Sequence, residues 1–133
     1  MANDNKIQYK QREWFNFSDL KGKRLGGFKK LTHDGNDALL FADLNGNVYL
    51  MTHNQDCCEN VWLEDVSGSW DDIEWQEVLE AYETSESMPE KDYGTGTWTF
   101  YTLVTFNGSV TLRWCGESNG YYSEGVDFYQ IIF

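Results

Sequence analysis

A chain of 133 residues is long enough to bury a single core and too short to hold two. Twenty-two of its residues are Trp, Tyr or Phe, and Pro89 is its one proline, a composition that excludes disorder over most of the length. The net charge of −12 is unevenly spread: residues 1–30 hold eight Lys/Arg against three acids, and residues 31–133 hold two against nineteen. A body this acidic repels nucleic acid and anionic lipid and attracts basic surfaces.

The opening segment, residues 1–18, reads as a basic and polar N-terminal arm, followed by one β-rich domain over 19–133. It has no apolar stretch of the secretory type, and no apolar run in the chain approaches the roughly 20 residues that span a bilayer. A strand near Arg24–Leu31 and one near Ala38–Ala42 flank the turn "HDGND" (His33–Asp37). Asn45-Gly46 then sits between "LLFADL" and "NVYLM", a hairpin signal because Asn and Gly accept the positive φ that tight turns use. A further strand is expected over Asn60–Val66.

The stretch "SWDDIEWQEVLEAYETSES" is ambiguous. Trp75, Val78, Leu79 and Tyr82 recur at helical spacing, and Ser69 with Asp71 and Asp72 suits a helix start. The alternative is a short helical turn near 69–75 followed by a strand near 77–84. Residues 85–96 have loop composition. The second Asn-Gly, Asn107-Gly108, closes a long hairpin. On its first arm Trp98, Phe100, Val104 and Phe106 read as the apolar face, with Thr97, Thr99 and Thr105 opposite. On its second arm Val110, Leu112 and Trp114 continue the apolar face, and Thr111, Arg113 and Cys115 point away. The last strand, Val126–Phe133, is apolar on both faces and is expected to be covered on both. The fold class that follows is all-β or a β-dominated α+β domain, with about seven or eight mostly antiparallel strands and one short helix.

Two stretches carry candidate chemistry. The first is "HNQDCCEN", His53–Asn60. As a metal site it would draw on His53, Cys57 or Cys58, Cys115 and His33. Adjacent cysteines in extended chain point to opposite faces, which makes them awkward ligands for one ion. As a nucleophile, Cys57 or Cys58 would need His53 in reach, and the flanking Asp56 and Glu59 disfavour a thiolate. A bond between Cys57 and Cys58 and a plain turn capped by Asp56 complete the alternatives. An odd count of three cysteines makes a poor disulfide framework, and free thiols in a reducing cytoplasm are the expectation.

The second stretch is "CGESNGYYSEG", Cys115–Gly125. Its glycines free the backbone, and Tyr121 and Tyr122 offer amphipathic aromatic surface of the kind that anchors protein interfaces. Glu117 and Glu124 can be read as a hydrolase pair, but acids are so frequent here that such a pair arises by chance. No phosphate-cradling glycine loop occurs. No catalytic residue and no cofactor is assigned.

The stretches "HNQDCCENVWLEDVSG", "TWTFYTLVT" and "RWCGESNGYYSEGVDF" resemble a family of small domains of unknown function from phage and bacterial genomes. The likeness runs from about Leu20 to the end, and two motifs carry it, H-x-Q-D-C-C-E and R-W-x-G-E-S-N-G-Y-Y-S-E. The resemblance implies a compact β-rich domain and no assigned activity. Relatives often place Gly and Pro before the "LEA" segment, which favours a strand there, and an aromatic where this chain has Cys115.

The functional expectation is a non-enzymatic acidic protein-binding domain in the cytoplasm. If phage-encoded, it would inhibit a basic nucleic-acid-binding host defence complex, as anti-restriction and anti-CRISPR proteins do, without contacting nucleic acid or membrane itself. The expected partner-binding residues are Glu64, Asp65, Asp71, Asp72, Glu74, Glu117, Tyr121, Tyr122 and Glu124. The alternative is a metal- or thiol-based site at His53–Glu59.

Overall fold

A computed structural model describes residues 7–89 and 94–133. Among them nine strands form two antiparallel sheets. In chain order they are β1 (Gln11–Trp14), β2 (Leu25–His33), β3 (Asn36–Asp43), β4 (Val48–Thr52), β5 (Asn60–Ser67), β6 (Glu80–Ser87), β7 (Thr95–Thr105), β8 (Gly108–Ser118) and β9 (Asp127–Ile132). One sheet runs β1-β9-β4-β3-β2 and the other β5-β8-β7-β6. A 3-10 turn, Phe17–Leu20, and one short helix, α1 (Trp70–Ile73), complete the fold. The class is the β-dominated one expected, with nine strands where seven or eight were read.

The core lies between the sheets. Phe41, Tyr49 and Phe128 from the larger sheet stack on one another and meet Leu63, Tyr101, Leu112 and Trp114 from the smaller one. Phe17 and Leu20 of the 3-10 turn, and Ile73 of α1, close the rim of this core. The part of the expected basic arm that is described is therefore built into the fold. Gln11–Trp14 pairs with β9, and Phe17 is only 4% exposed. Residues 1–6 of that arm lie outside the described residues.

The ambiguous stretch resolves into a single helical turn and then a strand. Trp75 ends α1 with φ +61°, a rare conformation for a large side chain. Its N–H donates to the Leu25 carbonyl at 2.7 Å. Its ring lies where a Cβ on Gly26 would be, 2.3 Å away, so only glycine fits beneath it. The helical spacing of Trp75, Val78, Leu79 and Tyr82 does not produce a helix, because β6 gains ladder bonds from β7 that an isolated helix of this length lacks. Ser85–Ser87, read as loop, extend β6, and Thr95 and Gly96 begin β7. Residues 90–93 of that expected loop lie outside the described residues.

The hairpin of β7 and β8 corrects one expectation. Thr99, Tyr101 and Leu103 of β7 face the core, opposite Trp114, Leu112 and Val110. Trp98, Phe100 and Val104, read as the core face, turn outward, and Phe106, read with them, is exposed in the turn. The reason is the register: directly opposed residues of an antiparallel pair share a face, and the turn at Phe106–Asn107 sets odd positions of β7 against even positions of β8. The final strand behaves as expected. Phe128 enters the central core, while Tyr129 and Ile131 join a second buried cluster on the outer side of the larger sheet.

A buried carboxylate organises the turn between β3 and β4. Asp43, 5% exposed, accepts from the Asn45 and Asn47 amides, from the Asn47 side chain and from the Tyr49 hydroxyl at 2.8–3.0 Å. Burial opposes its charge, but these donors outweigh it and hold its carboxyl below the usual range.

Candidate functional site

The loops that carry the two motifs meet at one end of the molecule. The first joins β4 to β5, and the second joins β8 to β9. His53, 3% exposed, links them: its Nδ1 donates to the Gly125 carbonyl at 2.8 Å, and its Nε2 lies 2.7 Å from Glu59 Oε2.

Glu59, 4% exposed, is the nucleus of the first loop. Its carboxylate accepts from the Asp56 and Cys57 backbone amides, both at 2.8 Å. The Gln55 amide donates to the Glu59 carbonyl at 2.7 Å and to the Cys57 carbonyl at 3.1 Å. Burial by itself would raise the Glu59 pKa, but the hydrogen bond from His53 and the backbone amides overcome it and bring it down to about 2. The residue order H-x-Q-D-C-C-E is thus a recipe for wrapping a turn around one carboxylate, with every named residue except Cys58 holding that turn or supplying an amide to it.

The cysteines do not form the thiol pattern expected. Cys57 and Cys58 are joined as a disulfide and are exposed on the loop. The bend that presents two successive amides to Glu59 also turns both sulfurs to one side. Cys115 is free and 2% exposed, far from solvent on the outer side of β8, where its thiol donates to Glu64. Burial pushes this thiol up to about 12, and the Glu64 carboxylate adds to the rise. Both ring nitrogens of His53 are engaged, so neither is left to take a proton from a thiol. Among the described residues no group of three or more His, Cys, Asp and Glu comes together in a way that would hold a metal ion.

The second loop is equally anchored. Glu124 accepts from the hydroxyls of Thr95, Thr97 and Ser118, the Thr97 bond at 2.7 Å. A Cβ on Gly116 would sit 2.3 Å from the Glu124 carbonyl oxygen, so the loop folds back over a bare glycine. The Asn119 side chain accepts from the Tyr121 amide at 2.9 Å. What this scaffold presents is Tyr121, 81% exposed and edge-on to Tyr122 at 5.2 Å.

The expected partner-binding residues do not share one face. Glu117, Tyr121, Tyr122 and Glu124 lie at the end just described. Asp71, Asp72 and Glu74 lie at the opposite end, where α1 packs on the tip of the β7–β8 hairpin and Asp72 abuts Gly108. An eleven-residue strand separates the two ends, about 30 Å of extended chain. Glu74 is also occupied, accepting from the Gly27 amide at 2.9 Å. Glu64 and Asp65 sit on β5, on the outer side of the smaller sheet. Glu64 is there 3.7 Å from Arg113.

Four residues of the first loop's surroundings escaped the reading of the sequence. Asn54 donates its amide to Asp127 at 2.9 Å, bonds the Tyr129 hydroxyl, and accepts from Arg12 at 3.2 Å. Arg12 in turn lies 4.5 Å from the centre of the Tyr129 ring. With Tyr9, His33, Asn36 and Gln55, Arg12 and Asn54 border a polar cleft of about 240 Å³. No spacing in the sequence announces this set, because its members come from the first strand, the β4–β5 loop and the last strand.

Two antiparallel sheets with motif-bearing loops gathered at one end define a small β-sandwich of the kind that displays function on its loops. The chain belongs to the family described as a domain of unknown function, DUF7448, which matches residues 18–128. No curated protein and no solved structure matches it. Among the described residues no helix is long and apolar enough to cross a membrane.

Proposed function

We propose that this chain is a non-enzymatic acidic protein-binding domain whose partner presents a basic surface of the kind used to hold nucleic acid. In a phage-encoded setting it would act in the host cytoplasm as an inhibitor of such a complex, of the anti-restriction or anti-CRISPR type. One observation carries the reading: an almost fully exposed Tyr121 stands on a loop held by Glu124 and by His53, in a chain of net charge −12. A fixed aromatic loses little conformational freedom on docking, and the acidic field steers a basic partner toward it. The competing reading, a metal- or thiol-based site at His53–Glu59, has its histidine and its buried carboxylate already engaged in holding the loop.

The test is capture of partners from host lysate with the intact chain, followed by mass spectrometry and binding kinetics with the purified candidate. The expected result is a protein with a basic nucleic-acid-binding groove whose nucleic acid competes with this chain. A partner that binds elsewhere and keeps its nucleic acid would overturn the inhibitory reading.

A further inference from the structure

The two sheets treat their outer faces differently. On the larger sheet, Leu50, Tyr129 and Ile131 are buried, with Ile7 and Tyr9 of the N-terminal segment packed against them. On the smaller sheet, Trp62, Trp98 and Phe100 point outward and are only partly buried, and Tyr82 is 47% exposed. Among the described residues, the helical elements that contact this sheet do so from the core side or at its ends, since Phe17, Leu20, Trp70 and Ile73 pack in the central cluster. A solvent face of an antiparallel sheet is ordinarily polar, so an aromatic row there calls for a cause.

We propose that the partner engaged by the Tyr121 loop also docks on this outer face, an inference that rests on the same acidic-binding reading, and that this face selects arginine side chains. The register sets Trp62, Cys115 and Trp98 side by side across three strands, with Arg113 and Phe100 opposed in the next row. Asp65, Glu86 and Glu117 share this face, paired in the ladders with Arg113, Trp98 and Gly96, and Glu64 reaches it at Arg113. Arg113 lies on this face, 3.7 Å from Glu64 and paired with Phe100 in the β7–β8 ladder. Planar guanidinium stacks on aromatic rings while its N–H groups reach carboxylates, and lysine lacks the planar group for the first contact. A second copy of this chain is disfavoured as occupant, because both copies would bring the same acidic rim. Nucleic acid is disfavoured for the same reason. A basic, arginine-bearing protein surface is complementary to both the charge and the rings.

The experiment compares nonaarginine and nonalysine peptides binding to the full chain by calorimetry at about 150 mM salt. Nonaarginine is expected to bind at least about fivefold more tightly. Trp98→Thr and Phe100→Thr should each reduce that preference toward parity, whereas Tyr121→Ala should leave it in place. Glu86→Gln, which alters no packing, should weaken both peptides alike. Fluorotryptophan NMR on the unmutated protein keeps the test open should a variant unfold: the Trp62 and Trp98 signals should move with nonaarginine, and the buried Trp114 signal should not. Equal affinity for the two peptides, or tryptophan signals at this face that stay still, overturns the proposal. A preference that survives Trp98→Thr but vanishes in Tyr121→Ala places docking on the loop, sinking this inference while keeping the binding-domain reading. Failure of both peptides to bind defeats both.

Discussion

Glu59 shows how much one side chain decides. It is a buried acid that holds two amides, a histidine and, through its own carbonyl, a glutamine. Glu59→Gln would turn an amide group toward donors that need an acceptor, so a loss of about 3 kcal/mol is expected, read from urea unfolding at neutral pH. The pH dependence has a definite sign. The folded pKa is about 2 against an ordinary 4.5, so the unfolded chain binds more protons between these values. The stability from Glu59 is complete above the ordinary value and disappears as pH falls through about 2. Subtracting the Glu59→Gln profile from that of the parent should isolate this slope, and parallel profiles would contradict it. Cys115 gives a second prediction at this scale. Buried, and with its pKa raised to about 12, its thiol should resist iodoacetamide in the native protein at neutral pH and react once urea unfolds it. Rapid native labelling of Cys115, seen by peptide mass spectrometry, would contradict its placement.

Among elements, the loop joining β8 to β9 has a position that depends on a single absent atom. Gly116→Ala would put a methyl 2.3 Å from the Glu124 carbonyl oxygen, and the obstacle is backbone that cannot swing aside as a side chain would. A loss of roughly 1–3 kcal/mol is expected, with the loop displaced from the Thr95 and Thr97 hydroxyls. Thermal unfolding measures the loss, and amide exchange at 119–125 reports the displacement. The separation of α1 from this loop yields a further expectation. Charge reversal of Asp71 and Asp72 should slow association with a basic partner and flatten its salt dependence, while Tyr121→Ala should speed dissociation at a cost of roughly 1–3 kcal/mol. Because the two sites lie at opposite ends of β7, the combined variant should show the sum of the two effects within about 0.5 kcal/mol. Strong coupling measured by surface plasmon resonance would mean that one partner element spans both ends.

For the molecule as a whole, charge is the dominant property. Residues 31–133 carry nineteen acids and two cations. The cations of the first thirty residues are partly neutralised within the fold, Lys23 by Asp43 at 3.8 Å and Lys21 by Glu80 at 4.0 Å. Lys29 and Lys30 lie on β2, an edge strand, where exposed lysines hinder sheet-to-sheet aggregation. The acidic body repels a phosphate backbone. Duplex DNA should therefore give no gel shift at micromolar protein and about 150 mM salt. A shift that persists at that salt would show the basic segment acting independently of the body.

The sequence alone determined most of the strands and turns, the class of fold and the uneven charge, because those signals are local. Alternation of side chains shows over two residues, and Asp-Gly and Asn-Gly over adjacent ones. That is why β2, β3, β5 and β9 lie within a few residues of where the pattern puts them. Tertiary structure decided what the motifs are for. His53 meets a carbonyl 72 residues away, and Arg12 meets Asn54 across 42. A backbone carbonyl leaves no mark on the side-chain pattern, and side chains 42 residues apart share no local spacing that could have predicted their contact. The inward face of β7 was hidden for a related reason. Both of its faces carry apolar side chains, so only the register with β8 could place Tyr101 and Leu103 in the core and leave Trp98 and Phe100 outside.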